Sequence, residues 1–361
     1  MEDVVTFPEL DSYYRGAKVF LTGHTGFKGS WMMATLHAAG AQVKGYALAP
    51  EETGGLYELL GPLPGVESCI ADIRDRGRLR TELLQFQPDY IFHLAAQPLV
   101  RRSYEIPAET FDINVTGTAN LLEAATALEK KCAIVVITTD KVYENKETGF
   151  LYKETDVLGG HDPYSASKAC TELVVSSFRD SFFPLFRGES HQKGLASVRA
   201  GNVIGGGDWS RDRIVPDIAR ALLAGIPVEV RNPASVRPWQ HVLEPVAGYL
   251  RLGGLLYRDA GRYGKAYNFG PVPEDHLQVR ELVETAIAAW GEGSWKDVSD
   301  PGAPHEAGLL KLDVTKARRD LNWHPRLDAP EAIRWALEWY RSVPEGRAGV
   351  SFDQIKSYFT P

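Results

Sequence analysis

The sequence is poor in cysteine. Its only cysteines are Cys69, Cys132 and Cys170, which lie far apart and show no Cys-x-x-Cys spacing. A disulfide framework or a zinc site needs cysteines at closer spacing. We therefore expect neither disulfides nor a metal, and we expect the protein to work in the reducing cytoplasm.

Basic clusters and long apolar runs are also missing. The net charge is −7 and Lys and Arg form no block, which argues against general binding to nucleic acid or to an anionic membrane. No stretch reaches the roughly 18 apolar residues of a membrane span, and residues 1–15 lack the apolar core of a signal peptide. The 361 residues suffice for one large core or for two closely packed lobes.

Strand-like and helix-like segments alternate in the first half of the chain. Short apolar runs occur at 18–22, 42–48, 68–71, 90–94 and 133–138, with helical segments at 30–39, 76–87 and 116–130. This alternation predicts an α/β fold with a Rossmann-type, doubly wound parallel sheet. In such folds the ligand crevice lies at the carboxyl ends of the strands.

The composition changes near Gly201, where glycine, proline and tryptophan become frequent. This change indicates a second, smaller C-terminal α/β lobe. We predict a dinucleotide-binding domain over 1–200 that also receives about 240–265, and a mainly substrate-binding domain over 201–361. The cleft between the two lobes is the expected substrate site.

A glycine-rich turn follows the first strand. Residues 22–29 read Thr-Gly-His-Thr-Gly-Phe-Lys-Gly, a GxxGxxG pattern between a strand and a helix. Gly23 permits a tight turn, Gly26 lets backbone N–H groups approach a pyrophosphate, and Gly29 lets the helix pack closely. The pattern predicts a dinucleotide site. Its other predicted members are Thr25, Phe27, Lys28, Asp72, Ile73, Leu94, Ala95 and Ala96.

The residues leave the choice between NAD and NADP open. The second strand lacks the acidic residue at its end that usually holds the adenosine ribose of NAD. Glu51 and Glu52 follow shortly afterwards and are candidates to replace it. Lys28 would instead suit the 2′-phosphate of NADP. NAD is the expectation and NADP the alternative.

Tyr164 and Lys168 form a Tyr-x-x-x-Lys pair. Their spacing places both side chains on one face of a helix. An ammonium beside a phenol lowers the pKa of the tyrosine from about 10 toward the working range, which makes it a general base. We predict Tyr164 as the catalytic base and Lys168 as its support.

A polar run follows the apolar fifth strand. Thr139, Asp140 and Lys141 place a hydroxyl, an acid and a base at the carboxyl end of that strand. Here the sequence resembles the extended short-chain dehydrogenases/reductases, and among them the nucleotide-sugar 4,6-dehydratases, which carry a Thr-Asp-Glu or Thr-Asp-Lys triplet at this point. The Asp-Lys version resembles the branch that acts on CDP-glucose. Epimerases of the same family lack this acid and base pair.

The resemblance covers nearly the whole chain. Further motifs that carry it are residues 23–31, 93–97, 199–209 and 237–242. It implies four substrate contacts: Gln97, Asn202, Arg213 and Arg237. The two arginines would pair with the diphosphate, to which a guanidinium can donate two hydrogen bonds. The resemblance also implies a homodimer or higher homo-oligomer that packs the helices near 116–130 and 165–182.

The implied reaction is an intramolecular oxidation, elimination and reduction with a recycled NAD. Tyr164 would remove the proton of the sugar 4-hydroxyl, which Thr139 holds, and Asp140 would protonate the departing 6-hydroxyl. Lys141 would either remove the proton at carbon 5, for which its pKa must fall well below about 10, or stay charged and stabilise the enolate. The alternatives are a 4,6-dehydratase of another nucleotide sugar, a nucleotide-sugar epimerase, and a redox-sensing binder without turnover.

Overall fold

Strands and helices alternate along the computed structural model, which describes residues 4–51, 53–146, 149–183, 192–272, 275–299, 310–343 and 349–360. The strands are β1 Lys18–Thr22, β2 Gln42–Ala47, β3 Val66–Ile70, β4 Tyr90–His93, β5 Cys132–Ile137, β6 Leu151–Tyr152, β7 Lys193–Ala200, β8 Val203–Ile204, β9 Val228–Val230, β10 Val236–Arg237, β11 Gln240–His241, β12 Ala266–Phe269, β13 Leu277–Gln278, β14 Trp295–Asp297 and β15 Lys311–Leu312.

The helices alternate with these strands. They are α1 Phe7–Tyr14, α2 Phe27–Ala38, α3 Leu56–Leu60, α4 Arg76–Phe86, α5 Val100–Glu105, α6 Pro107–Phe111, α7 Gly117–Thr126, α8 Pro163–Ser181, α9 Ile214–Leu223, α10 Leu243–Arg258, α11 Ala260–Tyr263, α12 Val279–Trp290, α13 Thr315–Leu321, α14 Ala329–Ser342 and α15 Gly349–Phe359. A π-helical turn, Asp112–Thr116, leads into α7, and a 3₁₀ turn, Asp140–Val142, follows β5.

Seven parallel strands form the central sheet, in the order β3-β2-β1-β4-β5-β7-β12. β1 lies between β2 and β4, so the direction of the strand order reverses there. A crevice therefore opens at the carboxyl ends of β1 and β4. The predicted α/β class and Rossmann-type sheet are confirmed.

The sheet is buried on both faces. Side chains of successive residues point to opposite sides of a strand. Accordingly Val19 and Leu21 join the core that contains α2 and α10, while Phe20 joins the core that contains α4 and α7. All residues of β5 are buried, as expected of a strand covered on both sides.

The chain returns to this sheet after leaving it. α10 packs against β5 and β7, and β12 adds a seventh strand beside β7. The segment predicted to return, about 240–265, corresponds to α10 and α11, and the return continues through β12. The rest of the second region contains short paired strands, β8 with β11, β9 with β14 and β10 with β13, while β15 reaches back to pair with β6.

α1, which precedes β1, was among the helices that the sequence analysis did not predict. It is held to the fold by Tyr14, whose buried hydroxyl donates to the carbonyl of Leu250 in α10 at 2.5 Å.

Across the residues described, no helix has the length and apolar character needed to cross a membrane. Within the same residues, no group of three or more His, Cys, Asp or Glu side chains converges as a metal site would.

Candidate active site

The glycine turn between β1 and α2 has space for a phosphate. Gly23 has a φ of +76°, and a Cβ there would lie 2.7 Å from the backbone nitrogen of Ala95. A Cβ on Gly29 would lie 1.9 Å from the carbonyl oxygen of Gly23, whereas one on Gly26 would meet nothing closer than 3.5 Å. No side chain caps the start of α2. Its first N–H groups therefore face an open approach, which suits a pyrophosphate.

Other predicted cofactor residues surround this turn. The hydroxyl of Thr25 donates to the carbonyl of Leu48 at 2.8 Å. The carboxylate of Asp72 is 29% exposed and is held by Arg74 at 2.6 Å, whose hydrogen bonds lower the pKa of that carboxyl. Asp72 therefore remains charged at the end of β3. Glu51 is exposed, and Glu52 lies outside the described residues.

The segment after β4 is shaped by hydrogen bonds to β1. The backbone N–H groups of Leu94 and Ala95 both donate to the hydroxyl of Thr22 at 3.2 Å. Ala96 follows and is partly exposed, while Ile73 is buried against Gly117 at the start of α7. Ala95 also lies against the glycine turn, where a Cβ on Gly23 would lie 2.7 Å from its backbone nitrogen.

Lys28 lies on the catalytic side of the cleft. Burial and the charge of Arg213 lower its pKa to about 8, while the carboxylates of Asp140 and Asp208 oppose that shift. These neighbours belong to the loops after β5 and β8. Lys28 is therefore grouped with the predicted catalytic and substrate-binding side chains.

The predicted catalytic residues come together at the end of β5. α8 begins at Pro163 and is capped by the carboxylate of Asp162, which places Tyr164 in its first turn. The phenol of Tyr164 lies close enough to the hydroxyl of Thr139 for the two groups to interact. Thr139 Oγ1 donates to Asp140 Oδ1 at 2.9 Å. All three side chains are buried, so a phenol, a hydroxyl and an acid lie together at the end of β5.

The electrostatics of the Tyr164 and Lys168 pair differ from the prediction. Burial raises the pKa of Tyr164 to about 12, and the neighbouring hydroxyl of Thr139 offsets only part of this rise. Burial and the charge of Lys28 lower the pKa of Lys168 to about 8. Among the described residues, the ammonium of Lys168 donates to the carbonyl of Ile137 at 2.9 Å and not to the phenol. The protein alone therefore does not make Tyr164 a ready base.

Asp140 and Lys141 lie in opposite environments. The Asp140 side chain is 4% exposed and packs on Gly201, where a Cβ would lie 2.0 Å from Asp140 Oδ2. The carbonyl of Gly201 is held by Gln240 Nε2 at 3.0 Å. Lys141 is exposed. The protein therefore does not supply the burial on which its predicted role as a base at carbon 5 depends.

The predicted diphosphate-binding residues lie on loops of the second region. Arg213 Nη1 pairs with Asp208 Oδ2 at 2.9 Å, which raises the pKa of the guanidinium, and the Arg213 side chain remains 34% exposed. Asn202 has a φ of +50°, a left-handed conformation that asparagine tolerates better than most residues. Arg237 Nη1 donates to the carbonyl of Val236 at 3.1 Å.

The amide of Gln97 forms internal hydrogen bonds. Its Nε2 donates to the carbonyl of Leu99 and the hydroxyl of Thr110 at 3.1 and 3.0 Å, and its Oε1 accepts from Leu99 N at 2.7 Å. Asn114, in the π-helical turn, accepts from Gln97 N at 2.8 Å. These bonds order the loop after β4 and use both hydrogens of the Gln97 amide.

Three residues of this region were not predicted. Gly201 makes room for the Asp140 carboxylate, Asp208 orients Arg213, and Glu172 lies on α8 beneath Lys168. A signal existed for Glu172, because it follows Lys168 by four residues and so shares its helix face. Gly201 depends on a contact with the distant Asp140, for which the sequence carries no local pattern, whereas Asp208 pairs with Arg213 only five residues further on.

The fold and the site together define a class of protein. A Rossmann sheet, an open glycine turn at a helix N-terminus, and a tyrosine and lysine one helical turn apart beside β5 are the features of a dinucleotide-dependent enzyme of the short-chain dehydrogenase/reductase type. A sequence profile of the GDP-mannose 4,6 dehydratase family matches residues 20–335. The chain belongs to this family of nucleotide-sugar dehydratases.

Individual relatives support this assignment. The chain is 47% identical over 335 residues to the CDP-glucose 4,6-dehydratase of Salmonella typhimurium, covering 93% of each protein. It is 31% identical to the dTDP-glucose 4,6-dehydratase of Streptomyces antibioticus, covering 90% of this chain and 92% of that one.

Solved structures show the same fold. The dTDP-glucose 4,6-dehydratase of Streptomyces venezuelae, with NAD bound, matches at a TM-score of 0.74 and 25% identity, covering 90% of this chain and 97% of that one. An epimerase from Methanothermobacter thermautotrophicus matches at a TM-score of 0.80 and 22% identity, covering 97% of both chains. The second match shows the shared fold alone.

Proposed function

We propose that the chain converts CDP-D-glucose to CDP-4-keto-6-deoxy-D-glucose and water, with NAD recycled in each turnover. The observation that carries this proposal is the buried cluster in which Tyr164 lies beside Thr139, and Thr139 donates a hydrogen bond to Asp140. It places a group for oxidation at carbon 4 next to an acid for elimination at carbon 6. The 47% identity to a CDP-glucose 4,6-dehydratase favours CDP-glucose over the other nucleotide sugars as the substrate.

The site residues divide the reaction between them. Tyr164 removes the proton of the 4-hydroxyl, which Thr139 holds. Asp140 donates a proton to the departing 6-hydroxyl. Lys141 is the proposed base that removes the proton from carbon 5 and returns it when carbon 6 is reduced, a role that requires bound substrate and cofactor to cover its side chain, which the protein alone leaves exposed. Bound NAD would accept the hydride from carbon 4 and return it to carbon 6. The open turn at Gly26 would hold its pyrophosphate.

Turnover of several nucleotide sugars tests the proposal. The purified protein is incubated with NAD or NADP and with CDP-glucose, dTDP-glucose, UDP-glucose or GDP-mannose, and loss of one water is followed by mass spectrometry. We expect loss of water from CDP-glucose with NAD, and none from it in the Tyr164→Phe variant. Loss of water from another nucleotide sugar instead would support the same reaction and change only the nucleotide assigned to the substrate. No loss from any sugar would favour an epimerase or a binder.

We also propose that the protein is a homodimer that packs α7 and α8 against the same helices of a second copy. Two large apolar side chains on or just after α8 are exposed, Leu173 at 60% and Phe182 at 55%. Burial of such side chains stabilises an association. Sedimentation should show a dimer for the wild type and a monomer for Leu173→Asp. A monomeric wild type at micromolar concentration would contradict this arrangement.

A further inference from the structure

A buried ion pair lies behind the catalytic residues. Glu172 on α8 and Arg199 on β7 have side chains that are each 4% exposed, and Arg199 Nη2 lies 3.0 Å from Glu172 Oε2. The carboxylate also accepts hydrogen bonds from Thr138 Oγ1 at 2.6 Å and from Ser197 Oγ at 2.7 Å. A buried ion pair is often no more stabilising than apolar side chains of the same volume. Stability alone therefore does not explain why it is here.

The pair holds both ends of the catalytic triplet. Thr138, which donates to Glu172, directly precedes the triplet 139–141. On the other side, Arg199 Nη1 donates to the hydroxyl of Tyr143 at 2.7 Å, and its guanidinium lies 4.9 Å from the centre of the Tyr143 ring. The two ends of the six-residue segment 138–143, which carries the acid, are thus tied to one ion pair.

The same carboxylate acts on Lys168. The charged and titratable groups that face Lys168 are Lys28 on α2, His93 on β4 and Glu172 on its own helix. Burial lowers the pKa of His93 to about 3, so this ring is neutral. Burial and Lys28 both lower the pKa of Lys168, and among the described residues Glu172 is the charge that opposes them.

Arg199 in turn keeps Glu172 ionised. Burial of the carboxyl favours its neutral form, but Arg199 and the hydroxyl donors more than offset this and hold the pKa of Glu172 below its ordinary value. Glu172 therefore retains a negative charge in the interior, four residues along α8 from Lys168. The negative charge of Glu172 acts on Lys168 through space, although neither Glu172 nor Arg199 touches the reacting groups.

We propose that Glu172 and Arg199 form a positioning pair for the dehydratase reaction, which holds the triplet 139–141 in place and keeps Lys168 protonated. This inference rests on the proposed function. The turnover of the wild type is therefore measured first, so that a failure of the function is seen before any variant is compared.

The experiment is the pH dependence of kcat for CDP-glucose in three variants. The alkaline limb of this profile, the fall of kcat at high pH, reports the loss of the Lys168 proton. Glu172→Gln removes the anion and leaves the Arg199 cation. We therefore expect the alkaline limb to move to lower pH by about one unit, a tenfold change in proton affinity. Glu172→Gln/Arg199→Met removes both charges and should return the limb toward its wild-type position.

The control is Lys44→Met, which removes another buried charge, on β2, that is ion-paired with more exposed carboxylates. Lys44 is bound by Glu82 at 2.6 Å and Glu67 at 2.9 Å. The Lys44→Met variant should have a lower Tm and an alkaline limb at the wild-type position. If Glu172→Gln behaves like this control, with a lower Tm and an unmoved limb, the pair is structural only and the proposal is wrong.

Thr138→Val provides the second measurement if Glu172→Gln does not fold. This change keeps both charges and removes the Thr138 hydroxyl, which bonds Glu172 and also the carbonyl of Val198 at 3.0 Å, while the contact of Arg199 with Tyr143 remains. We expect kcat to fall about tenfold with KM nearly unchanged, because small displacements of a catalytic group are costly. A wild-type kcat in Thr138→Val would overturn the positioning role.

Discussion

Substitution of Gly201 by alanine should disable the acid of the site without contacting the substrate. A Cβ on Gly201 would lie 2.0 Å from Asp140 Oδ2 and 2.1 Å from its Cγ, whereas ordinary contacts begin at 3.4 Å. The carboxylate must therefore move by about 1.4 Å. The backbone of Gly201 has little freedom to withdraw instead, because Gln240 Nε2 donates to its carbonyl at 3.0 Å.

The size of the effect follows from this displacement. A misplacement of about 1 Å at a catalytic group can cost about 100-fold in rate, which corresponds to about 2.7 kcal/mol in the barrier. We expect Gly201→Ala to lower kcat for loss of water at least to this extent. The oxidation at carbon 4 depends on Tyr164 and Thr139, so in a single turnover NADH should still form and then accumulate.

The control for this variant is Gly270→Ala. Gly270 lines the same small cavity beside Asp140, but a Cβ there would meet nothing closer than 3.8 Å, so the carboxylate stays in place. Gly270→Ala should retain at least half of the wild-type kcat. If Gly201→Ala also retained it, with a normal Tm, then Asp140 would not need its observed position and its role as the acid would be refuted.

Further predictions concern the cofactor turn and two buried ionisable groups. Gly26→Ala should keep the wild-type Tm and bind NAD about tenfold more weakly by calorimetry, because the added methyl obstructs the phosphate. Gly29→Ala should also lower Tm, because its Cβ overlaps the backbone of the preceding turn. Lys28→Met should move the alkaline limb of kcat to higher pH, since Lys28 lowers the pKa of Lys168; an unmoved or lowered limb would contradict this. Burial raises the pKa of Glu244 to about 7, so the folded state binds this proton more tightly than the unfolded state. The free energy of unfolding should therefore fall by about 3 kcal/mol between pH 4.5 and 7 relative to Glu244→Gln, and parallel pH dependences in urea titrations would refute the shift.

The local patterns of the sequence were sufficient for the sheet and the turn. The apolar runs predicted the first five strands to within a few residues. The reason is clearest for β4 and β5, all of whose residues are buried, because parallel strands covered on both faces require continuous apolar sequence. The GxxGxxG turn and the Tyr-x-x-x-Lys spacing likewise encode their own geometry. β12 was not predicted as part of the sheet, because its place depends on a pairing with β7 across more than sixty residues.

The electrostatics of the site could not be predicted from spacing. The spacing of Tyr164 and Lys168 indicated a phenol with a lowered pKa, but burial reverses the shift. Likewise the position of Lys141 next to Asp140 gave no indication that one is exposed and the other buried. Desolvation depends on what packs around a group from distant segments, and the sequence order contains little of that information.

The return of the chain to its own sheet restricts how this protein can recombine with its relatives. A hybrid that joined residues 1–200 to the C-terminal part of another dehydratase would take α10 and β12 from the foreign parent. β7 would then pair with a strand that had not evolved beside it, and a mismatch would leave an exposed, apolar edge open to aggregation. Exchange of the sugar specificity requires two separate grafts, one before α10 and one after β12, so single-crossover libraries should yield few soluble hybrids.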